Sequence, residues 1–224
     1  MNFIPPFVSA ILVAGGIGSR MGSPIAKQFI KVQDKEIALY SFETLLQHEH
    51  IEEIIVVCKE EYEHLFHHPK VKFALPGVRR QDSAYNGFLK VHPKANLVCI
   101  HDSARPFLTL EDLNAVISEA LIHKAAVLGT PVKPTLKEVD ENGFVLRTLN
   151  RDLIWEVQTP QVIDYALLKK GFELANEKSL TVTDDVSLVE LQNLPVKIIK
   201  GSYANIKITT PEDLDVANLC LNTK

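Results

Sequence analysis

The sequence predicts an α/β fold, a mainly parallel sheet flanked by helices. Three observations predict it. Short β-branched runs recur along the chain, most of them are apolar on both alternating faces as a strand covered on both sides must be, and segments of helical spacing lie between them. The strand candidates are VSAILVA (8–14), EIIVVC (53–58), VKFAL (71–75), NLVCIHD (96–102), AAVLGTPV (125–132) and VKIIKG (196–201).

The clearest helical segments are ALYSFETLLQH (38–48) and LEDLNAVISEALIHK (110–124). In the second, Leu110, Leu113, Val116, Ile117, Ala120 and Leu121 fall on one stripe, and Thr109 with Asp112 resembles a capping box. TTPEDLDVANLCL (209–221) predicts a last helix, with Thr210 as cap and Pro211 in the first helical position. One segment breaks the alternation. TLKEVDENGFVLRTLNR (135–151) has two extended runs around Asp140, Glu141, Asn142 and Gly143, the pattern of a β-hairpin. A hairpin with little helix to cover it is marginal alone in water, so residues 133–153 are expected to form an arm that packs on a second subunit, with folding back on its own domain as the alternative. No repeat or linker divides the chain, and residues 1–224 are expected to form one domain.

The totals narrow the function. A formal net charge of −4 on 224 residues argues against a general nucleic-acid binder, while leaving room for a small anionic ligand met by local cations. No apolar run approaches a membrane span, and the start MNFIPPFVSAILVAGG lacks the features of a secretory signal, so a cytoplasmic, membrane-free protein is expected. Cys58, Cys99 and Cys220 each lie in apolar sequence without a C-x-x-C pair, which favours buried free thiols over zinc or disulfides. His48, His50, His64, His67 and His68 are dense enough to raise the question of a metal, but their polar surroundings favour a solvated face.

The first strand ends in a glycine loop that presents two cations. In AILVAGGIGSRMGSPIAKQF (10–29), Gly15, Gly16 and Gly18 allow the backbone to approach a ligand closely, and Arg20 and Lys27 follow. The loop lies at the carboxyl end of a strand, where open α/β sheets bind ligands. It fits neither G-x-x-x-x-G-K-[ST] nor G-x-G-x-x-G. Cations beside a backbone cradle suit a phosphorus centre that gains negative charge.

The loop resembles that of sugar-phosphate nucleotidyltransferases, and most closely the 2-C-methyl-D-erythritol 4-phosphate cytidylyltransferase family of isoprenoid precursor biosynthesis. The resemblance continues in order through PGVRRQDSAYNG (76–87), HDSARPF (101–107), PVKPTLK (131–137), TLNRDLIWEVQTPQ (148–161), TVTDDVSLVE (181–190) and NIKITTPEDL (205–214). It implies a Rossmann-like fold of the nucleotide-diphospho-sugar transferase type. The implied reaction transfers CMP from CTP to the polyol phosphate and releases pyrophosphate, with Mg2+ accompanying CTP and a homodimer formed through the β-arm.

By resemblance, Ala14, Gly15, Gly16, Gly18, Gly77, Arg80, Ser83, Asp102 and Ser103 surround the nucleotide. Arg20 and Lys27 stabilise charge at the α-phosphorus, and Arg151 and Lys207 position the attacking phosphate. Arg105, Thr135, Thr159, Thr183 and Asp184 take the acceptor, Thr135 and Arg151 across the dimer, and Asp102 is the implied metal contact. His101 reads as structural. The chain departs from the family pattern at Ala26, at Pro76, at Val78 and at Ser103. A cytidylyltransferase for another polyol phosphate, such as ribitol 5-phosphate, is the nearest alternative, and a dinucleotide-binding oxidoreductase a more distant one. The anionic acceptor needs no general base, which agrees with the absence of any Ser-His-Asp or Cys-His spacing.

Overall fold

The structure, a computed structural model, describes residues 5–16 and 26–222. Its centre is a sheet of seven strands. In chain order these are β1 (Val8–Val13), β4 (Ile51–Val57), β5 (Val71–Ala74), β6 (Leu97–Asp102), β7 (Ala125–Pro131), β10 (Trp155–Asp164) and β11 (Lys197–Lys200). They lie in the order β11-β7-β10-β6-β1-β4-β5. Two short antiparallel pairs stand outside this sheet: β2 (Lys31–Val32) with β3 (Lys35–Glu36), and β8 (Lys137–Val139) with β9 (Val145–Thr148).

The helices are α1 (Ile37–Gln47), α2 (Arg80–Phe88), α3 (Leu110–His123), α4 (Tyr165–Glu177), α5 (Ser187–Glu190) and α6 (Pro211–Asn222). Strand alternation explains their two layers, because successive side chains point to opposite faces. Ala10, Leu12, Ile54, Val56 and Cys99 turn to the face covered by Phe42 of α1 and by Leu113, Val116 and Ile117 of α3. Ile11, Ile55, Val57, Val98 and Ile100 turn to the face covered by Phe88 of α2 and by Leu168 and Phe172 of α4. A continuous apolar run is therefore needed to fill both layers. α6 packs at one end, where Ala217 and Ile208 meet Val32 and Ile37.

All six strand candidates form. The sheet holds one strand that periodicity does not reveal: β10 runs antiparallel between β6 and β7. Its register shifts between Val157 and Gln161, an irregularity of the kind that re-aims side chains beside functional sites. The α3 cap is half of the expected box: the Thr109 hydroxyl accepts from the Asp112 N–H at 3.1 Å. Leu110 and Leu121 lie at the edges of the stripe and are 37% and 46% exposed, so the buried face is narrower than the sequence predicts.

In the hairpin turn, Asp140 Oδ1 accepts from the N–H of Asn142 and of Phe144, and Gly143 takes a φ of +84°, the left-handed conformation that favours glycine. Val139 of β8, Val145 and Leu146 of β9, and Phe144 just before β9 are each at least half exposed. Cys58 and Cys99 are buried free thiols, whose pKa burial pushes up to about 12, while Cys220 is half-buried. His48 corrects the expectation of a solvated histidine face: it is 4% exposed, and its Nδ1 accepts from the His50 N–H.

Candidate active site

Register brings the ends of β1 and β6 together. Val13 pairs with Asp102, so the chain leaving β1 toward Gly15 and the chain leaving β6 toward Ser103 emerge side by side at the carboxyl edge of the sheet. Ser103 secures that junction, its N–H and hydroxyl both donating to the Val13 carbonyl. Gln28, which follows Lys27 in a single 3-10 turn and is 2% exposed, donates from Nε2 to the carbonyls of Ala14 (2.6 Å) and Gly16 (2.9 Å). One buried amide thus holds Ala14 and Gly16 and sets Lys27 beside them.

The opposite wall is the segment before α2. A Cβ on Gly15 would lie 2.3 Å from Pro76 Cβ, and one on Gly77 would lie 2.3 Å from Asp82 Cβ, so both glycines are required by close approach. Ser83 holds this wall: its hydroxyl accepts from the Gly77 N–H at 3.0 Å and donates to the Arg79 carbonyl. Between the walls lies a cleft of about 330 Å³, lined among others by Gly15, Gly16, Lys27, Gly77, Arg80, Ser83, Asp102, Ser103 and Lys207.

The floor of the cleft is a line of alternating charge. Arg80 Nε donates to Asp102 Oδ1 (2.9 Å), while its two terminal nitrogens donate to the two oxygens of Asp185 (3.0 and 2.7 Å). Lys207 Nζ donates to Asp102 Oδ2 at 2.5 Å. Lys207 arrives from the loop before α6, anchored by the Ile208 N–H on the Ala104 carbonyl. Burial alone would raise the Asp102 carboxyl, but the attraction of Arg80 and Lys207 outweighs it and holds the group well below the usual carboxylate range.

Beneath Asp102, His101 is fully buried and neutral. Its Nε2 faces the Arg105 carbonyl, which only accepts, so Nε2 carries the proton and Nδ1 accepts from the Thr159 hydroxyl. Burial pushes its pKa down to about 4. The Thr159 oxygen in turn accepts from the Asp102 N–H.

The structure gathers most of the nominated residues, and separates others. Gly18 and Arg20 lie outside the described residues. Arg105 stands apart from the cleft: it is 7% exposed and donates to the backbone carbonyls of Asn205 and Val157. Thr159 is likewise buried beneath the floor. Thr183 is exposed, and Asp184 accepts from Gln161 and from the N–H and hydroxyl of Ser187, the first residue of α5. Thr135 and Arg151 are exposed at the base of the hairpin, where Arg151 donates to the Lys133 carbonyl. Sequence reasoning passed over Gln28 and Asp185. Gln28 stands in KQF, between the chosen lysine and a core aromatic, and the only signal for Asp185 is its place beside Asp184 in TVTDD.

Comparison with known proteins identifies the family. Residues 8–223 match the profile of the family described as IspD, 2-C-methyl-D-erythritol 4-phosphate cytidylyltransferase. The chloroplastic enzyme of that name from Oryza sativa subsp. japonica is 48% identical, over 97% of this chain and 75% of its own. The enzyme of that name from Pelotomaculum thermopropionicum is 40% identical, over 97% of this chain and 95% of its own. Among solved structures, 4-diphosphocytidyl-2C-methyl-D-erythritol synthase from Anaerococcus prevotii superposes with a TM-score of 0.87 at 30% identity, covering 98% of this chain and all of that one. The Francisella tularensis cytidylyltransferase gives 0.83 at 29% identity, covering 95% of this chain and 99% of its own. The chain belongs to the 2-C-methyl-D-erythritol 4-phosphate cytidylyltransferase family.

Proposed function

We infer that this chain transfers CMP from CTP to 2-C-methyl-D-erythritol 4-phosphate, giving 4-diphosphocytidyl-2-C-methyl-D-erythritol and pyrophosphate. The observation that carries the reading beyond family membership is the cleft itself. Lys27, Arg80 and Lys207 converge on it beside a bare glycine backbone, and among the described residues no histidine or cysteine lines it. That is a site for positioning phosphates and neutralising charge rather than for removing a proton.

In the step proposed, an oxygen of the acceptor phosphate, anionic near neutral pH, attacks the α-phosphorus of CTP. The new bond joins that oxygen to the α-phosphorus, and the bond from it to the bridging oxygen breaks. The electron pair leaves with pyrophosphate. Gly15 and Gly16 receive the triphosphate, Lys27 and Arg20 meet the charge that grows at the α-phosphorus, and Gly77 and Ser83 shape the wall toward the base. Lys207, Arg151 and Thr135 steer the acceptor phosphate, with Thr183 and Asp184 at further positions of the acceptor site. Buried as they are, Thr159 and Arg105 act on the acceptor through the floor they support.

Among the described residues no group of three His, Cys, Asp or Glu side chains could hold a metal ion alone. Mg2+, which takes few protein ligands beside phosphate oxygens and water, still suits the cleft, because each Asp102 oxygen accepts one bond from a cation and keeps acceptor capacity. Asp102 would hold it beside the triphosphate, where it would supply positive charge to the phosphates.

The arm is proposed to dock on a second copy of the chain, and the whole chain to act as one nucleotidyltransferase domain. Support comes from the exposed Phe144, Val145 and Leu146, and from Arg151 and Thr135 lying outside the lining of their own cleft. Among the described residues no helix is long and apolar enough to cross a membrane. The cytoplasm is the compartment proposed, although the rice relative is named as chloroplastic.

A pyrophosphate-release assay tests the reading. CTP with methylerythritol phosphate is expected to turn over, with ATP, UTP and GTP slower by at least tenfold. Preference for ribitol 5-phosphate as acceptor would reassign the substrate, and NADH binding without CTP binding would overturn the class.

A further inference from the structure

Asp185 has no part in the assignments above, yet it is 2% exposed and holds the forked end of a cleft arginine. We propose that Asp185 is a positioning residue for nucleotidyl transfer: by engaging both terminal nitrogens of Arg80, it limits that guanidinium to one bond with Asp102 and keeps Asp102 open to the cleft. The proposal rests on the cytidylyltransferase reading and deepens it.

The argument starts from what fixes Asp185. Its backbone N–H, with that of Val186, donates to Gln161 Oε1 at 2.8 Å. Gln161 is 1% exposed on β10, and its Nε2 donates to the Gln158 carbonyl and to Asp184 Oδ2, so the amide has one orientation. On the other side Gln81 clamps the same segment, donating to the Leu180 carbonyl and accepting from the Val182 N–H. Asp185 is thus anchored by the backbone around it, and Arg80 is the member of the pair that a longer side chain lets move.

A guanidinium prefers to offer two parallel N–H groups to one carboxylate. Arg80 has two carboxylates within reach and gives its fork to Asp185, leaving only Nε for Asp102. Asp102 therefore keeps room for Lys207 on its other oxygen and for a metal or a ribose hydroxyl from the cleft. Without the Asp185 charge, the fork is drawn to Asp102. It then covers both oxygens, displaces Lys207 and closes the metal contact.

Calorimetric titration with CTP, with and without Mg2+, on wild type, D185N, D185E, R80Q and R80Q/D185N, tests this beside steady-state kinetics. D185N is expected to weaken CTP binding about tenfold in Mg2+ and less than threefold without it, and to lower kcat about tenfold. D185E, which keeps the charge, is expected closer to wild type, and R80Q/D185N no worse than R80Q. Equal binding and kcat in D185N and wild type would overturn the proposal, as would additive losses in the double variant or a loss of melting temperature with unchanged kinetics. Should D185N fail to fold, D185S, which also removes the charge, and R80Q/D185S give the same test, non-additive effects supporting and additive effects overturning it. If wild type itself fails to bind CTP, the functional reading falls; if it binds and D185N matches it, only this proposal does.

Discussion

Two buried carboxylates, at opposite ends of the central sheet, have opposite surroundings. Glu53, near the start of β4, is 5% exposed and is enclosed by the Ser9 hydroxyl, the His92 N–H and Lys72, with Nζ at 2.5 Å. Asp102, at the end of β6, is 6% exposed and is met by Arg80 and Lys207. Burial would raise both acids, and their donors hold both below the usual carboxylate range. Depression of a carboxylate therefore does not distinguish a staple from a site. What distinguishes them is where the partners lead: two of the three donors to Glu53 are neutral and belong to the surrounding fold, whereas both cations on Asp102 line an open cleft.

The largest effects should separate the two ends outright. Lys27→Ala is expected to lower kcat about 10³-fold with little change in CTP affinity, as for loss of a group acting at the transition state. Lys72→Ala, at the other end, should leave kcat within twofold. Stopped-flow pyrophosphate release beside calorimetry reads both, and equal losses of kcat and affinity in Lys27→Ala would demote it to a binding residue.

Next come the acids themselves. Asp102→Asn should reduce kcat/KM for CTP about 10²-fold with a small change in melting temperature. Glu53→Gln should leave kcat unchanged and cost about 2 kcal/mol of stability, a value below that of a fully buried pair because Lys72 is half exposed. A reversal, with Glu53→Gln inactive and Asp102→Asn merely less stable, would break the comparison.

Arg151→Ala asks whether the cleft end is complete in one chain. It should raise the acceptor KM about 30-fold, in the range of a lost charge-assisted bond. Mixed with Lys27→Ala after subunit exchange, it should recover some active sites. No recovery despite confirmed exchange would return the arm to its own chain.

The last effect is a pH dependence of stability. His101 titrates near 6.5 when unfolded and about 4 when folded, so the unfolded chain binds the extra proton between those values. Stability is therefore full above pH 6.5 and falls as pH drops toward 4, by roughly 3 kcal/mol from this group. His101→Gln should flatten that part of a denaturation series run from pH 7 to 4.5; an unchanged slope would remove His101 as its source.

Much of this arrangement is legible in the sequence, and the gaps have physical causes. Strands β1, β4 and β6 announce themselves because both faces are buried, and the hairpin because Asp140 and Gly143 satisfy its turn. β10 hides because Gln158, Thr159 and Gln161 are polar for reasons only tertiary structure supplies, and because Pro160 argues against a central strand until the register shift accommodates it. Asp184 and Asp185 are adjacent and chemically identical, so nothing local says which one meets Arg80. Arg105 beside Asp102 reads as a ligand for an anion, but its partners are carbonyl oxygens of Val157 and Asn205, tens of residues away.

A crystal structure with CTP and Mg2+ tests the central claim most directly. The account predicts the triphosphate against the backbone of Gly15 and Gly16, with Lys27 within hydrogen-bond reach and Asp102 facing the metal. CTP bound elsewhere, with the cleft between Lys27 and Lys207 left to solvent, would contradict it.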